Sequence, residues 1–179
     1  KTFFTRENLK TRQFIQDCHK VVRPHMFIRE ARVADIPQIQ VVRNAVKENQ
    51  LSDPALVPDK DVEDYICRRG KGWVCEIDNI IAGFTIVSVL DHNVWALFVL
   101  PGYEKRGIGR ILHDEMLNWY FKRTTDTIWL STGPGTRAEL FYRKAGWTEA
   151  GLHGKGEVKF EMTLAAWNGR QDKFFKYLY

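Results

Sequence analysis

"NVWALFVLPGYEKRGIGRIL", residues 93–112, joins a predicted strand to a predicted helix through a turn rich in glycines and cations. The apolar run predicts the strand, and Pro101-Gly102 ends it. Gly107 and Gly109 are poor residues at the start of a helix unless the backbone must approach another molecule. The first amides of a helix lack internal partners and carry the positive end of its dipole, so they bind anions. Three cations add positive charge to the turn: Lys105, Arg106 and Arg110. The stretch therefore predicts a phosphate site.

Two nucleotide-binding motifs are absent from this turn. It lacks GxxxxGK[ST], the phosphate loop of nucleoside triphosphatases. It also lacks GxGxxG, the dinucleotide fingerprint, because no third glycine follows Gly109 at the required spacing. A GxG ahead of a helix also occurs where the helix merely packs closely on a neighbour, and that structural reading stays open at this point. The position directly after a strand and a proline favours phosphate binding.

The composition is that of an ordinary folded domain with an excess of basic residues. Of the 179 residues, 44% are hydrophobic and 27% are charged, which suits one domain with a substantial core. No apolar run reaches the roughly 18 residues of a membrane span. Residues 1–20 lack the apolar core of a signal peptide, so we expect a cytoplasmic protein. The net charge of +5 fits a phosphorylated small ligand as well as nucleic acid.

Neither the cysteines nor the histidines have the spacing of a disulfide framework or a metal site. Cys18, Cys67 and Cys75 are odd in number and form no CxxC pair, which favours a reducing compartment and positions in the core. The five histidines contain no pair at metal-ligand spacing, so no metal is predicted.

The order of elements predicts a mixed α/β (α+β) fold in which helices pack on one sheet. The hairpin at Asp78-Asn79 and the helix start at Asp35, with a capping glutamine three residues on, are the clearest local signals. We divide the chain into an N-terminal appendage (1–25), a domain (26–165) and an aromatic, basic tail (166–179). Strands are predicted at 26–31, 72–77, 80–90, 93–99, 127–132 and 157–164; helices are predicted at 35–46, 61–70, 107–123 and 136–146.

The stretch "EKRGIG", residues 104–109, resembles the acetyl-CoA motif of the GNAT superfamily of N-acetyltransferases, Gln/Arg-x-x-Gly-x-Gly/Ala after a strand and a proline. The resemblance implies a mixed, mostly antiparallel central sheet flanked by α-helices, with a splayed strand pair at the acetyl-CoA slot. It implies acetyl-CoA as co-substrate, with Lys105 beside its pyrophosphate. Glu104 departs from the motif and brings a negative charge close to a polyanion. The amides that the resemblance assigns to the pyrophosphate are those of Arg106, Gly107, Ile108, Gly109 and Arg110.

Two further stretches extend the resemblance over residues 26–164. "LFV", residues 97–99, resembles the family strand whose exposed backbone pairs with the pantetheine arm, which implies cofactor contacts at Phe98 and Val99. "GTRAELFYRKAGW", residues 135–147, resembles the second CoA motif, Asn-x-x-Ala-x-x-Leu/Phe-Tyr-x-x-x-Gly-Phe/Trp. Gly135 stands where asparagine is usual, so any contact of that side chain is missing. The matching residues are Ala138, Phe141, Tyr142, Gly146 and Trp147; the first three are assigned to the cofactor.

The reaction that the resemblance implies is direct attack of a neutral amine on the acetyl carbonyl, without a covalent enzyme intermediate. Tyr142 is the candidate catalytic acid, because in similar proteins this tyrosine faces the CoA sulfur. An ordinary tyrosine has a pKa of about 10 and so holds a proton to donate. A packed core aromatic is the alternative role for this residue. A backbone amide near Val99 is the candidate donor to the oxyanion.

The sequence identifies no general base. Where the family often has a carboxylate, this chain has Asn93, which cannot act as a base. Asp91, His92 and Glu76 are nearby candidates, with ordinary turn or surface roles as the alternative. A base is dispensable if the amine arrives neutral. Trp95 is either a core residue or a wall of the acceptor pocket.

Three classes of function stay open from the sequence. The first is an N-acetyltransferase acting on an amine of a small molecule or peptide, and the second is a non-catalytic acyl-CoA-binding sensor or scaffold. The third is a nucleic-acid binder that uses the tail "WNGRQDKFFKYLY". We prefer to interpret that tail as a packed or dimerising segment, so a homodimer is open, and we expect neither a membrane nor a nucleic acid as partner.

Overall fold

The computed structural model describes residues 26–48 and 53–176, and a seven-stranded sheet forms their centre. The strand order is β1-β2-β3-β4-β5-β7-β6. Only the central pair, β4 and β5, is parallel; the other neighbours are antiparallel. The strands are β1 (Met26–Glu30), β2 (Gly70–Ile77), β3 (Ile80–Ser88), β4 (Asn93–Val99), β5 (Ile128–Thr132), β6 (Thr148–His153) and β7 (Glu157–Met162).

Helices cover both faces of the sheet, and the sheet separates two apolar clusters. On one face Ile39 and Val62 from the first two helices pack against Phe84 of β3. On the other face Leu112 and Tyr120 pack against strand residues of the second cluster. The helices are α1 (Ile36–Ala45), α2 (Asp59–Asp64, continued by a π-helical turn at Tyr65–Arg69), α3 (Ile108–Phe121), α4 (Arg137–Lys144) and α5 (Leu164–Lys176).

The predicted mixed sheet with flanking helices is confirmed, and two elements were missed. All six residues of β6 are exposed, so the strand lacks the apolar alternation by which a half-buried strand is recognised. The helix α5 runs through the segment that the sequence analysis treated as a tail. Its Trp167 is only 2% exposed and belongs to the core. Residues 1–25 lie outside the described part of the chain.

The helix start at Asp35 is correct, but the expected capping box is wrong. The Asp35 carboxylate accepts hydrogen bonds from the Arg29 guanidinium, at 2.6 and 2.8 Å, and from the Arg32 amide at 2.8 Å. These bonds, led by the one from Arg29, lower the pKa of Asp35. Gln38 reaches away from the helix start and accepts a hydrogen bond from the Ile81 amide of β3 at 3.0 Å. Tertiary partners therefore replace the local cap.

Inside the core, His113 of α3 contacts Phe141 of α4 and Trp147, which follows that helix. Its side chain is fully buried, and its Nε2 accepts a hydrogen bond from Trp147 Nε1 at 2.9 Å. The proton therefore resides on Nδ1, which lies 2.8 Å from Asp114 Oδ1. Burial lowers the pKa of His113. This histidine holds the two cleft-lining helices together as a neutral group.

The cysteines divide between core and surface. Cys75 is buried in β2, as expected, and burial raises the pKa of its thiol to about 11. The core position expected for Cys67 is wrong, because this residue lies exposed on the π-helical turn. Cys18 lies outside the described residues. Within the described ranges, no helix has the length and apolar character needed to cross a membrane.

Candidate functional site

The parallel strands β4 and β5 separate almost immediately and open a large cleft. They are paired only at Asn93 and Trp129, at the start of β4. Beyond that point the cleft runs between the strands and under α3 and α4, with a volume of about 1050 Å³. The predicted splayed strand pair is therefore present.

A bulge in β4 accompanies the separation of the strands. Ile86 of β3 lies opposite Ala96, whereas Val87 lies opposite Val94, so Trp95 is the extra residue. A bulge of this kind bends its strand locally. The Trp95 ring stacks on Tyr65, with centroids 4.3 Å apart and planes 17° from parallel. Trp95 thus lies on the α1 face of the sheet and also borders the cleft.

The free edge of β4 presents backbone amides to the cleft. The Leu100 amide donates to the Ala82 carbonyl of β3 at 2.8 Å. Successive amides of a strand point in opposite directions, so the Val99 amide points away from β3, toward the cleft. Val99 itself lines the cleft. The edge is therefore available for an extended ligand to pair with.

The N-terminus of α3 lies open at one end of the cleft. Gly107, its N-cap, has a left-handed backbone with φ of 83° and no side-chain cap. A Cβ atom there would meet nothing within 4 Å, and one at Gly109 would meet only Val99 Cγ2, at 3.7 Å. Within the described residues, no backbone carbonyl accepts a hydrogen bond from the amides of Gly107, Ile108 or Gly109. The protein's own packing therefore leaves room for a small side chain at Gly109.

Glu104, the departure from the first motif, is held by donors of the turn. Its carboxylate accepts a hydrogen bond from the Gly102 amide at 2.6 Å and lies 3.5 Å from the Arg137 guanidinium. Hydrogen bonds from its own amide and from that of Gly102 lower the pKa of Glu104, and the charge of Arg137 lowers it further. The negative charge is thus compensated by the Gly102 amide of the turn and by Arg137 of α4.

The N-terminus of α4, on the opposite wall, is closed by the chain itself. The Thr136 hydroxyl accepts a hydrogen bond from the Glu139 amide at 3.2 Å. The Glu48 carboxylate, from the segment after α1, accepts from the Arg137 amide at 3.1 Å. Gly135, the departure from the second motif, has φ of 73°. Glycine stands at that position because the turn requires a left-handed backbone, which glycine adopts without steric cost.

Tyr142 of α4 lines the cleft with most of its ring buried. The residue is 7% exposed, and it packs against Phe141, Trp147 and Phe160. None of the described residues forms a hydrogen bond with its hydroxyl. Burial raises the pKa of Tyr142 well above the ordinary value for a tyrosine. The group therefore keeps its proton throughout the neutral range.

The cleft brings most of the predicted cofactor residues together. Arg106 is the exception: its guanidinium stacks on the Tyr103 ring, 4.9 Å from the centroid, and donates to the Gly102 carbonyl at 3.2 Å. Phe98 borders the cleft but packs with Phe84 on the α1 face. The other residues on the cleft wall are Val99, Lys105, Gly107, Ile108, Gly109, Arg110, Ala138, Phe141 and Tyr142.

Several cleft residues escaped the sequence analysis. Arg137 lies within the second motif, and its position as a cation in the first turn of a helix was a signal that could have identified it. Glu48, Lys47 and Arg170 had no local signal, because they reach the cleft from distant parts of the chain. Arg170 extends from α5 and bonds to Asp114 of α3 at 3.1 Å.

The nearby candidates for a general base all have structural partners away from the cleft. Asp91 accepts from Arg69 at 2.6 Å and from the Ser88 hydroxyl at 2.7 Å. His92 Nδ1 lies 2.8 Å from the Tyr120 hydroxyl. Glu76 pairs with Arg29 at 2.9 Å. Among the described residues on the cleft wall, the carboxylates are Glu48 and Glu104, and both contact Arg137.

Solved acetyltransferases share this fold. One of the GNAT family from Staphylococcus aureus superposes with a TM-score of 0.69 at 20% identity, over 78% of this chain and 99% of its own. The PaiA N-acetyltransferase from Thermoplasma acidophilum, in complex with coenzyme A, superposes with a TM-score of 0.66 at 16% identity. The superposition covers 78% of this chain and 99% of that protein. The ribosomal-protein-alanine N-acetyltransferase from Brucella melitensis superposes with a TM-score of 0.64 at 21% identity. The superposition covers 77% of this chain and 99% of that protein.

The family follows from the sequence itself. None of the curated proteins compared with the chain matches it. The profile of the acetyltransferase (GNAT) family matches residues 42–147, more than half of the chain. That match includes the splayed strand, the open start of α3 and the helix carrying Tyr142, and the co-substrate of the family is acetyl-CoA. The chain belongs to the GNAT family of acetyltransferases.

Proposed function

We propose that the chain transfers the acetyl group of acetyl-CoA directly to a primary amine of a small molecule or peptide. The observation that carries the proposal is the cleft itself, which joins the open N-terminus of α3, the free edge of β4 and the Tyr142 hydroxyl. The pyrophosphate binds the amides of Gly107, Ile108 and Gly109, where the helix dipole favours an anion. The pantetheine arm pairs with the edge of β4, as an added strand does.

The chemical step then needs an oxyanion donor and a proton donor. The amine nitrogen attacks the acetyl carbonyl, and the Val99 amide donates a hydrogen bond to the oxyanion that forms. As the tetrahedral intermediate collapses, the carbon–sulfur bond breaks and Tyr142 protonates the thiolate. The nitrogen releases its extra proton to solvent, which also reprotonates the tyrosinate. The products are the N-acetylated amine and CoA.

No carboxylate on the described cleft wall is free of Arg137, so the amine is expected to arrive neutral. The value of kcat/KM should then rise with pH and level off once the pH exceeds the pKa of the acceptor amine. Tyr142 adds no descending limb in the neutral range, because burial raises its pKa above the ordinary value. A rate profile taken with two acceptors of different amine pKa tests this, since the ascending limb should move with the acceptor.

The alternative is a non-catalytic acyl-CoA-binding sensor or scaffold, and the observation that favours it is that both carboxylates on the described cleft wall, Glu48 and Glu104, are paired with Arg137. A thiol-release assay with acetyl-CoA and a broad panel of amines separates the two. Turnover of any amine supports the enzyme. CoA binding by calorimetry without thiol release from any amine supports the sensor.

Tyr142→Phe tests the proton donor. We expect kcat to fall by about a hundredfold, the usual contribution of general acid catalysis, while the CoA dissociation constant stays unchanged. Tyr120→Phe is the matched control, because this buried tyrosine bonds to His92 and lies off the cleft wall. A Tyr142→Phe protein with the wild-type kcat would remove Tyr142 from the chemistry.

A further inference from the structure

The C-terminal helix α5 brings a cation to the cleft from outside the residues that match the family profile. The profile match ends at residue 147, whereas α5 spans Leu164–Lys176. Its Trp167 is only 2% exposed and lies edge-on to His113 of α3, with ring centroids 5.9 Å apart. About one turn further along the helix, Arg170 lines the cleft. Burial of the tryptophan thus fixes the part of α5 that carries Arg170 against α3.

Two contacts hold the Arg170 side chain in place. Its guanidinium lies over the Trp167 ring, 5.2 Å from the centroid, and its Nη1 donates to Asp114 Oδ1 at 3.1 Å. Among the described residues, this is the one hydrogen bond that the guanidinium makes. A guanidinium carries five N–H donors, so others remain for a ligand. A side chain that is already ordered loses little conformational entropy when it binds one.

The cleft wall around Arg170 carries an excess of positive charge. Asp114 is shared between two guanidiniums, because its Oδ2 also lies 3.7 Å from Nε of Arg110. Two of the described residues on the cleft wall are carboxylates, and both contact Arg137. The wall should therefore attract a ligand with several negative charges. The cations on the same wall are Lys47, Lys105, Arg110, Arg137, Lys144 and Arg170.

The place of Arg170 beside α3 indicates which negative group it can meet. Asp114, its partner, lies in the second turn of α3, about 7 Å along the helix axis from Gly109. CoA carries a third phosphate at the 3′ position of the ribose whose 5′ carbon bears the pyrophosphate. The two phosphate groups are therefore neighbours in the ligand. A cation at this distance from the open amides can meet the 3′-phosphate while the amides hold the pyrophosphate.

We propose that Arg170 binds the 3′-phosphate of CoA, so that the cleft selects CoA over dephospho-CoA. This rests on the proposed function, because it presumes that the pyrophosphate binds at the start of α3. A planar guanidinium matches two phosphate oxygens with parallel hydrogen bonds. Asp114 is then a positioning residue, which orients the guanidinium without touching the phosphate.

The test compares CoA with dephospho-CoA, which lacks only the 3′-phosphate. Calorimetry gives both dissociation constants for the wild-type protein, Arg170→Gln, Arg170→Lys and the control Arg123→Gln. Arg123 is exposed at the other end of α3, outside the residues that line the cleft. The ratio of the two dissociation constants cancels any loss caused by a change in the packing of α5, because the two ligands share the rest of the molecule. Thermal melting of each variant checks the fold.

The wild-type protein should bind CoA about tenfold or more tightly than dephospho-CoA, the usual effect of a hydrogen bond to a charged group. Arg170→Gln should bring the ratio close to one by weakening the binding of CoA alone. Arg170→Lys, which keeps the charge without the planar fork, should lie between the two, and Arg123→Gln should match the wild type. Equal dissociation constants in the wild type, an unchanged ratio in Arg170→Gln, or an equal fall in Arg123→Gln would overturn this proposal and leave the proposed function standing. Binding of neither ligand would overturn both.

Discussion

The two helices that border the cleft begin in opposite ways. α3 starts at Gly107 with a left-handed backbone, no side-chain cap and open space above its first turn. α4 starts behind Thr136, whose hydroxyl accepts from the Glu139 amide, and the Glu48 carboxylate covers the Arg137 amide. One helix end is open and the other is closed by the chain's own oxygens.

We interpret this difference as that between a ligand-binding helix terminus and a structural one. A side-chain cap stabilises a helix by about 1 kcal/mol, so a chain that needed only stability would cap α3 as it caps α4. Around the start of α3 lie the cations Lys105 and Arg110, and the one acid of that turn, Glu104, is paired with Arg137. Around the start of α4 the carboxylates of Glu48 and Glu139 accept hydrogen bonds from the amides of Arg137 and Gly135. An anionic ligand therefore has one favourable helix terminus in this cleft.

The largest effect should come from a charge placed at the open terminus. Gly107→Glu inserts a carboxylate where the pyrophosphate is proposed to bind, and like-charge contact should weaken CoA binding by at least about a hundredfold. Gly135→Glu is the matched control, because Gly135 also has a left-handed backbone with open space but precedes the closed terminus. Both variants carry similar backbone strain, and only the first should lose CoA in calorimetry. Equal losses would show that the two termini do not differ in function.

A bulky apolar residue at Gly109 should weaken CoA binding at the start of α3 without straining the helix backbone. The backbone there is helical, and an added Cβ meets only Val99 at 3.7 Å, so Gly109→Ile should keep the thermal midpoint. Its side chain should cover the open amides and weaken CoA binding by about tenfold, the loss of one charge-assisted hydrogen bond. Gly109→Ala is the control, since the family motif accepts alanine, and its affinity should stay near wild type. Full affinity in Gly109→Ile would place the phosphates elsewhere.

The smallest effect should follow loss of the cap at the closed terminus. Thr136→Ala removes the acceptor of the Glu139 amide and should lower the free energy of unfolding by about 1 kcal/mol. The CoA dissociation constant should not change, because this cap is structural. Chemical denaturation and calorimetry on the same preparation check both values. Weakened CoA binding with unchanged stability would contradict the structural role.

Local patterns in the sequence predicted the open terminus and the strand before it. The bounds of β4 match residues 93–99, because a hairpin turn precedes the strand and Pro101-Gly102 follows it. The glycines and cations of the α3 turn are adjacent in sequence, so the start of the helix at this turn could be predicted from that stretch, and phosphate binding there stays a prediction. The position of Tyr142 on the cleft wall could be predicted in the same way, through a motif carried on a single helix, and its role as proton donor stays a prediction.

Contacts between distant residues could not be predicted. Glu48 closes α4 from 89 positions away in the sequence, and no local pattern marks such a partner. The contact of the Arg106 guanidinium with the Tyr103 ring, 4.9 Å from its centroid, was likewise not predicted, and the role of the Arg106 amide stays a prediction. The strand β6 lacked a signal because none of its residues is buried.

A crystal structure of the protein with bound CoA tests the central claim most directly. The claim predicts pyrophosphate oxygens at about 3 Å from the amide nitrogens of Gly107, Ile108 and Gly109, with Glu48 still bonded to the Arg137 amide. A pyrophosphate bound at the start of α4, or anywhere that leaves the three α3 amides without a phosphate oxygen, would contradict it.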